Sequence, residues 1–233
     1  VREVRRLHEK LFYRPLLDAV ARVPSEGLRL TTAEAGRRLA ALGFANPAGA
    51  LRQIESLTSG LTRRAALQRA LLPVMLSYFS EAPDPDAGLS AYRRVSDALG
   101  ATPWYLRLLR DEGQVASRLA YLLGTSRYVT QMLQRAPEAL QLLASDEGLR
   151  PRPGEELATA MADAALRQPD AASAVAVVRG LRRQELLRIA FADLLGQVDV
   201  VAVCEALTTT TDATLGAALQ IARPASAAEF GVA

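Results

Sequence analysis

Few residues in this chain are suited to chemistry. The only histidine, His8, and the only lysine, Lys10, flank Glu9 in "RRLHEKLFYRPLLDAV" (5–20). An imidazole, a carboxylate and an amine side by side are the ingredients of general acid–base work. Helical geometry separates them, because consecutive side chains point about 100° apart. His8 falls beside an apolar stripe of Val4, Leu7, Leu11, Phe12 and Leu16, while Glu9 and Lys10 face elsewhere. Arg5 and Glu9 can pair across one turn. A structural histidine is the better reading. A lone histidine also excludes most histidine-based metal sites and HExxH chemistry.

"PDPD" (83–86) places Asp84 and Asp86 in a D-x-D pattern of the kind that holds magnesium. Metal-binding aspartates of nucleotide chemistry usually sit on a rigid element beside a phosphate-binding loop. These sit between prolines, where turn and helix-cap chemistry is expected. The sequence has no GxxxxGK[ST], GxGxxG or GxSxG. Cys204, in "VVAVCEAL", reads as a buried helical thiol rather than a nucleophile. As the only cysteine it permits neither an intramolecular disulfide nor a cysteine zinc site. No residue is therefore assigned a catalytic, cofactor-binding or metal-ligating role.

Two segments raise nucleic acid as a ligand. "LTTAEAGRRLAALGFANPAGALRQIE" (30–55) has a capped helix, a glycine turn and a second helix rich in small residues. That pattern comes easily in an alanine-rich helical protein, and "LGFANP" is longer than the turn of most helix-turn-helix readers. "RGLRRQELLRIAFADLLG" (179–196) is the densest basic stretch, and Arg179, Arg182, Arg183 and Arg188 could meet phosphates. Its apolar positions Leu181, Leu186, Ile189, Ala190 and Leu194 instead describe a helix docked on one side, with Arg182 pairing to Glu185 on the solvated side.

The elements that must position these residues are helices. Apolar residues make up 50% of the chain and charged residues 23%, so a soluble globular composition is indicated. Alanine, leucine and arginine dominate, all strong helix formers. Of 28 basic residues one is lysine, leaving 27 arginines scattered among acids, and the net charge is only +3. That balance gives no electrostatic footprint for nucleic acid. No apolar run approaches a membrane span and no signal peptide opens the chain, so a reduced cytoplasmic setting is expected.

Helices are expected over 33–42 (capped by Thr32, stopped by Gly43), from Asn46-Pro47 to Ser59, and from Thr62 through 78 with an interruption at Pro73. "EAPDPDAG" (81–88) is the clearest break and the candidate subdomain boundary. Shorter helices follow near 87–99, 103–109, 114–123, 126–134 and 137–144, punctuated by Gly100, Gly113 and Gly124. After a second loop at 147–156 come longer ones near 155–167, 171–195 and 198–221, with Asp170 and Asp199 as caps and Gly196 between the last two. Four threonines at 208–211 mark a weak point or break in the last helix. Only 230–233 hints at strand. The fold class is all-α, an irregular multi-helix array in two helical subdomains, its last residues the start of a truncated strand. The chain begins at Val1 inside a charged periodic segment and stops at "EFGVA", so an excised piece of a longer protein is expected.

"RRLHEKLFYRPLLDAV", "PVMLSYFSEAPDPDAGLSAYRRVSDALG", "LLGTSRYVTQMLQRAPEAL" and "LRRQELLRIAFADLLG" occur in order along nearly the whole chain. Together they resemble the bifunctional glutamine synthetase adenylyltransferases of high-GC bacteria. The resemblance implies two nucleotidyltransferase-like halves joined by helical regions. One half transfers AMP from ATP to a tyrosine of glutamine synthetase, and the other removes it by phosphorolysis. Each carries a glycine-rich strand-turn and an S-D-x-D motif whose aspartates hold magnesium, and neither motif occurs here. The resemblance thus places 1–82 in the helical region after the first half and 83–223 in the helical lead-in to the second. Residues 224–233 become the truncated start of the catalytic core. ATP and magnesium belong to the parent enzyme and not to this segment, which is expected to be inactive alone. The partners implied are the parent's catalytic halves, glutamine synthetase and a PII-class signalling protein, with no nucleic acid and no membrane. The alternatives are a stand-alone helical interaction or regulatory module and a helix-turn-helix DNA-binding regulator.

Overall fold

A computed structural model describes residues 31–100 and 104–231. Every regular element among them is helical, as expected of an all-α chain. Contacts gather the chain into two compact units that meet in sequence between Leu140 and Gln141.

Unit 1 contains α1 (Thr32–Ala41), α2 (Pro47–Thr58), α3 (Arg63–Ser80), α4 (Pro85–Ala98), α5 (Trp104–Asp111), α6 (Gly113–Thr125) and α7 (Arg127–Arg135). The caps are local sequence chemistry. Thr31, one residue before the expected Thr32, forms a capping box with Glu34: its hydroxyl accepts from the Glu34 amide while Glu34 Oε2 accepts from the Thr31 amide at 2.7 Å. That amide bond, first among the causes, holds the Glu34 carboxyl below its usual range. Asn46, Thr62 and Asp84 cap α2, α3 and α4 by accepting from the amides of Gly49, Ala65 and Ala87. Gly43 takes φ 88° and lets the chain leave α1, as its position after the helix requires.

Two proline and glycine expectations change. Pro73 lies inside α3 and is buried there, removing one ladder bond without ending the helix. Gly124 does not punctuate but lies within α6, where a Cβ would stand 2.6 Å from Ala82 Cβ. Gly88 of α4 approaches it so closely that its own Cβ would lie 3.4 Å from Gly124 Cα and 2.8 Å from Phe79 Cδ1. The two glycines let α4 and α6 cross in near backbone contact. Around them Phe79, Tyr92, Leu72, Met75, Leu76 and Leu89 form a fully buried core.

The loop 81–84 is accordingly a tight turn inside unit 1, and the compact units divide instead at 140/141. A buried polar knot fixes this region. The Tyr92 hydroxyl donates to Gln68 Oε1 at 2.8 Å, and Gln68 Nε2 donates to Tyr105 Oη at 3.3 Å and Ser96 Oγ at 3.4 Å. Burial pushes the Tyr92 phenol well above its ordinary pKa, so it remains a donor at any physiological pH.

A 3-10 helix (Pro137–Ala144) spans the sequence boundary between the units. Unit 2 continues with α8 (Asp146–Leu149), α9 (Gly154–Leu166), α10 (Ala171–Leu194) and α11 (Val200–Phe230). The last three pack together through Leu157, Met161, Ala165, Ala174, Val178, Ala213 and Ala217. Asp170 and Asp199 cap α10 and α11 as expected, accepting from the amides of Ser173 and Ala202 at 2.8 and 2.9 Å.

The expected break at 208–211 does not occur, and α11 is continuous there. Thr208, Thr210, Thr211 and Thr214 each turn their hydroxyls back to the carbonyl four residues earlier, at 2.7–2.9 Å. A hydroxyl bonded along its own helix needs no other partner. The expected strand start over 224–233 is also corrected. Residues 224–230 extend α11, with Pro224 inside it, where the proline removes one ladder bond without ending the helix and the alanine-rich "ASAAE" (225–229) carries it on. Val232 and Ala233 lie outside the described residues.

Candidate functional site

His8, Glu9 and Lys10 lie outside the described residues. Asp84 Oδ1 accepts from the Ala87 amide at 2.9 Å, which is helix capping. Asp86 reaches back across the fold: its Oδ2 accepts from the Ala45 amide at 2.6 Å and its carboxylate also faces the Asn46 amide. The D-x-D pair thus ties the turn after α1 to the start of α4. Among the described residues no group of three or more His, Cys, Asp or Glu is placed to hold a metal ion.

Cys204 corrects the sequence reading. It is exposed on the outer side of α11, because the face turned to α9 and α10 carries Ala206, Thr210, Ala213 and Ala217 instead. The helix-turn-helix candidate folds as two helices around the Gly43 turn. The second, α2, packs through Ala50, Ile54 and Leu57 against α3 and α4. Its outward side offers Ala48, Arg52, Glu55 and Ser56, with one cation beside one acid, which suits phosphate poorly.

The basic stretch holds the feature that periodicity missed. Arg188 and Glu185 are buried in α10, with 7% and 2% exposure, and Glu185 pairs with neither solvent nor Arg182. Arg188 Nε donates to Glu185 Oε2 at 3.0 Å, and Arg188 Nη1 donates to the carbonyl of Gly148. Glu185 Oε1 accepts from the Arg152 backbone amide at 2.9 Å, and the Arg152 side chain stands 3.6 Å from Oε2. Gly148 is itself fixed, since its amide donates to Ser145 and a Cβ there would lie 2.6 Å from the Leu142 carbonyl. The cluster fastens α8 and the loop after it to α10. It is a structural clamp, with every oxygen of Glu185 in use.

The reason periodicity failed is geometric. In the first half of α10 only Ala174 and Val178 are buried, one narrow stripe. In the second half Glu185, Leu187, Arg188, Ile189, Phe191 and Ala192 are all buried, which at about 100° per residue spans more than half the circumference. A face that polar spacing marks as solvated is therefore inside. The signal available in sequence was the i,i+3 pair of Glu185 and Arg188 combined with the constrained "RPRPG" segment (150–154).

The family model for glutamate-ammonia ligase adenylyltransferase matches residues 116–233, just over half of the chain. The chain belongs to that family. The match covers all of unit 2, including the clamp. Among similar members, the bifunctional glutamine synthetase adenylyltransferase/adenylyl-removing enzyme of Streptomyces coelicolor is 56% identical over 195 residues, covering 83% of this chain and 20% of that protein. The enzyme of the same name from Nocardia farcinica is 49% identical over 98% of this chain and 23% of its own length. That from Leifsonia xyli is 46% identical over 98% of this chain and 24% of its own length. The chain thus spans between a fifth and a quarter of these adenylyltransferase relatives.

Proposed function

We propose that this chain is the helical connecting part of an enzyme that adenylylates and deadenylylates glutamine synthetase, and that it holds none of the catalytic residues itself. On this reading residues 1–82 are the segment that follows the first nucleotidyltransferase-like half and 83–223 the segment that leads into the second, a division of the parent sequence that falls inside compact unit 1. The parent would move AMP from ATP to a tyrosine of glutamine synthetase and remove it by phosphorolysis, in the cytoplasm, under a PII-class signal. The observation that carries this reading is that the acids best suited to chemistry are already engaged. Asp84 and Asp86 accept backbone amides, and Glu185 is filled by Arg188 and Arg152. These aspartates do not fit a magnesium site, since both Asp86 oxygens and Asp84 Oδ1 accept backbone amides and no third acid joins them among the described residues. Magnesium and ATP are therefore assigned to the catalytic halves, where charge neutralisation and positioning carry phosphoryl-type transfer. The contribution of this part is to space and orient those halves.

The test is substitution in the full-length protein. His8→Gln, Asp84→Asn and Cys204→Ser should each leave kcat for both reactions within about twofold, since asparagine still caps a helix and no chemistry is removed. A drop of about a thousandfold in either kcat, the scale expected on losing a catalytic group, would overturn the assignment.

A further inference from the structure

We infer that Pro224 is a hinge, about which the last turns of α11 (224–230) swing as a stiff arm relative to the helices they leave. Loss of a backbone bond and loss of packing coincide at this residue. α11 meets α9 and α10 through Ala206, Thr210, Ala213 and Ala217, with Ile221 partly packed at the end of the row. Helical spacing makes 224 the next inward position. It holds proline, which has no amide hydrogen, so the Gln220 carbonyl loses its partner in the ladder. Where the next contact would lie there is an open cavity of about 370 Å³, with Ile221, Pro224 and Ala225 on one side and Leu166, Gln168 and Pro169 on the other. The proline ring crowds the carbonyl four residues back and opens the helix on its own side, which is the side of the cavity. Ala222 through Ser226 are all exposed.

The surroundings separate this proline from the other one inside a helix. Pro73 carries the same backbone defect in α3, but it is buried, with Leu72, Met75 and Leu76 fully buried beside it, so a bend there would break core contacts. Nothing comparable restrains Pro224. The arm beyond it is also more than a fraying end. Ala225 and Ala227 favour helix, the helix runs to Phe230, and the Gly231 amide donates to the Ala227 carbonyl at 3.0 Å. The opposite wall of the cavity is fixed, since Gln168 Nε2 donates to the Ala164 carbonyl at 3.2 Å and Asp170 caps α10. A stiff arm on a weakened joint beside a rigid wall moves about the joint. The use of this hinge rests on the connecting role proposed above: polypeptide attached to the arm takes more than one orientation about α9, α10 and the rest of α11 without any helix unfolding.

The test measures distances across the joint in the full-length protein by double electron–electron resonance. Spin labels are attached through p-acetylphenylalanine at exposed positions, one pair at Ala176 and Ser226 and a control pair at Ala176 and Leu215, on the near side of the hinge. The control is expected to give one narrow distance, and the Ser226 pair a distribution about twofold broader. Pro224→Ala, which restores the amide and places the best helix former there, should narrow the Ser226 pair to the width of the control. A Ser226 distribution as narrow as the control in the unsubstituted protein overturns the hinge. So does one that stays broad in Pro224→Ala, which is the behaviour of a fraying end, or a control as broad as the Ser226 pair. These distances are read without any turnover. A failed kcat test would therefore refute the connecting role and leave the hinge standing, and a narrow Ser226 pair would do the reverse.

Discussion

Replacing Arg188 by alanine removes two hydrogen bonds made by a buried charge, one to Glu185 and one to the Gly148 carbonyl. Glu185, only 2% exposed in the intact cluster, keeps the Arg152 amide at 2.9 Å and the Arg152 guanidinium at 3.6 Å as its remaining partners. Hydrogen bonds to charged groups contribute about 1.5–3 kcal/mol each, and breaking a buried ion pair from one side costs about 3–5 kcal/mol. Because Arg152 stays, the low end applies, about 3 kcal/mol. Hydrogen exchange reads this locally: amides in the second half of α10 should lose about 100-fold in protection, since 1.4 kcal/mol is tenfold. The double variant Glu185→Gln/Arg188→Met should recover most of that loss, because no charge is then stranded. A loss below about 1 kcal/mol in Arg188→Ala, the scale of a solvated pair, would refute the clamp.

Other residues give separate expectations. Gly124→Ala places a methyl 2.6 Å from Ala82 Cβ, a methyl with no side-chain rotation to relieve the clash, and 3.3 Å from the Asp84 carbonyl, and should cost about 1–3 kcal/mol in urea unfolding. Tyr92→Phe strands Gln68 Oε1 in the core and should cost about 1–3 kcal/mol by the same measurement. Thr211→Ala removes an exposed β-branched residue whose hydroxyl serves only its own helix, so it should slow exchange across α11 by a few tenths of a kcal/mol. The Asp170 carboxyl is held below its usual value first by the Ser173 amide, so its folded pKa lies under its unfolded one. Its stabilisation is full above the ordinary carboxylate range and is lost as pH falls through the lowered folded value. Acid melts of Asp170→Asn should lack that dependence, and an unchanged pH profile would show that the cap does not contribute.

Local chemistry was the legible part of the fold. Asn46-Pro47, Thr62, Asp84, Asp170 and Asp199 act where their types and neighbours place them, because a cap is decided within four residues. What sequence concealed depends on contacts made far along the chain. Gly124 reads as punctuation but is a crossing point with α4. Glu185 reads as solvated but is enclosed by Arg152, thirty-three residues earlier. Cys204 reads as buried because its neighbours are apolar, while α11 turns other positions toward its partners. The threonines weaken helix propensity on paper, yet their hydroxyls satisfy the helix from within. The family, by contrast, was legible from segments spread along the whole chain, and its model matches residues 116–233.

The function proposed for these helices is to connect and orient catalytic halves without chemistry of their own. It is tested most directly by incubating the 233-residue chain with glutamine synthetase, magnesium and ATP labelled in the α-phosphate, then counting label on the synthetase. Counts equal to a blank without the chain are expected, while the full-length protein should label the synthetase under the same conditions. Transfer above the blank by this chain alone would contradict it.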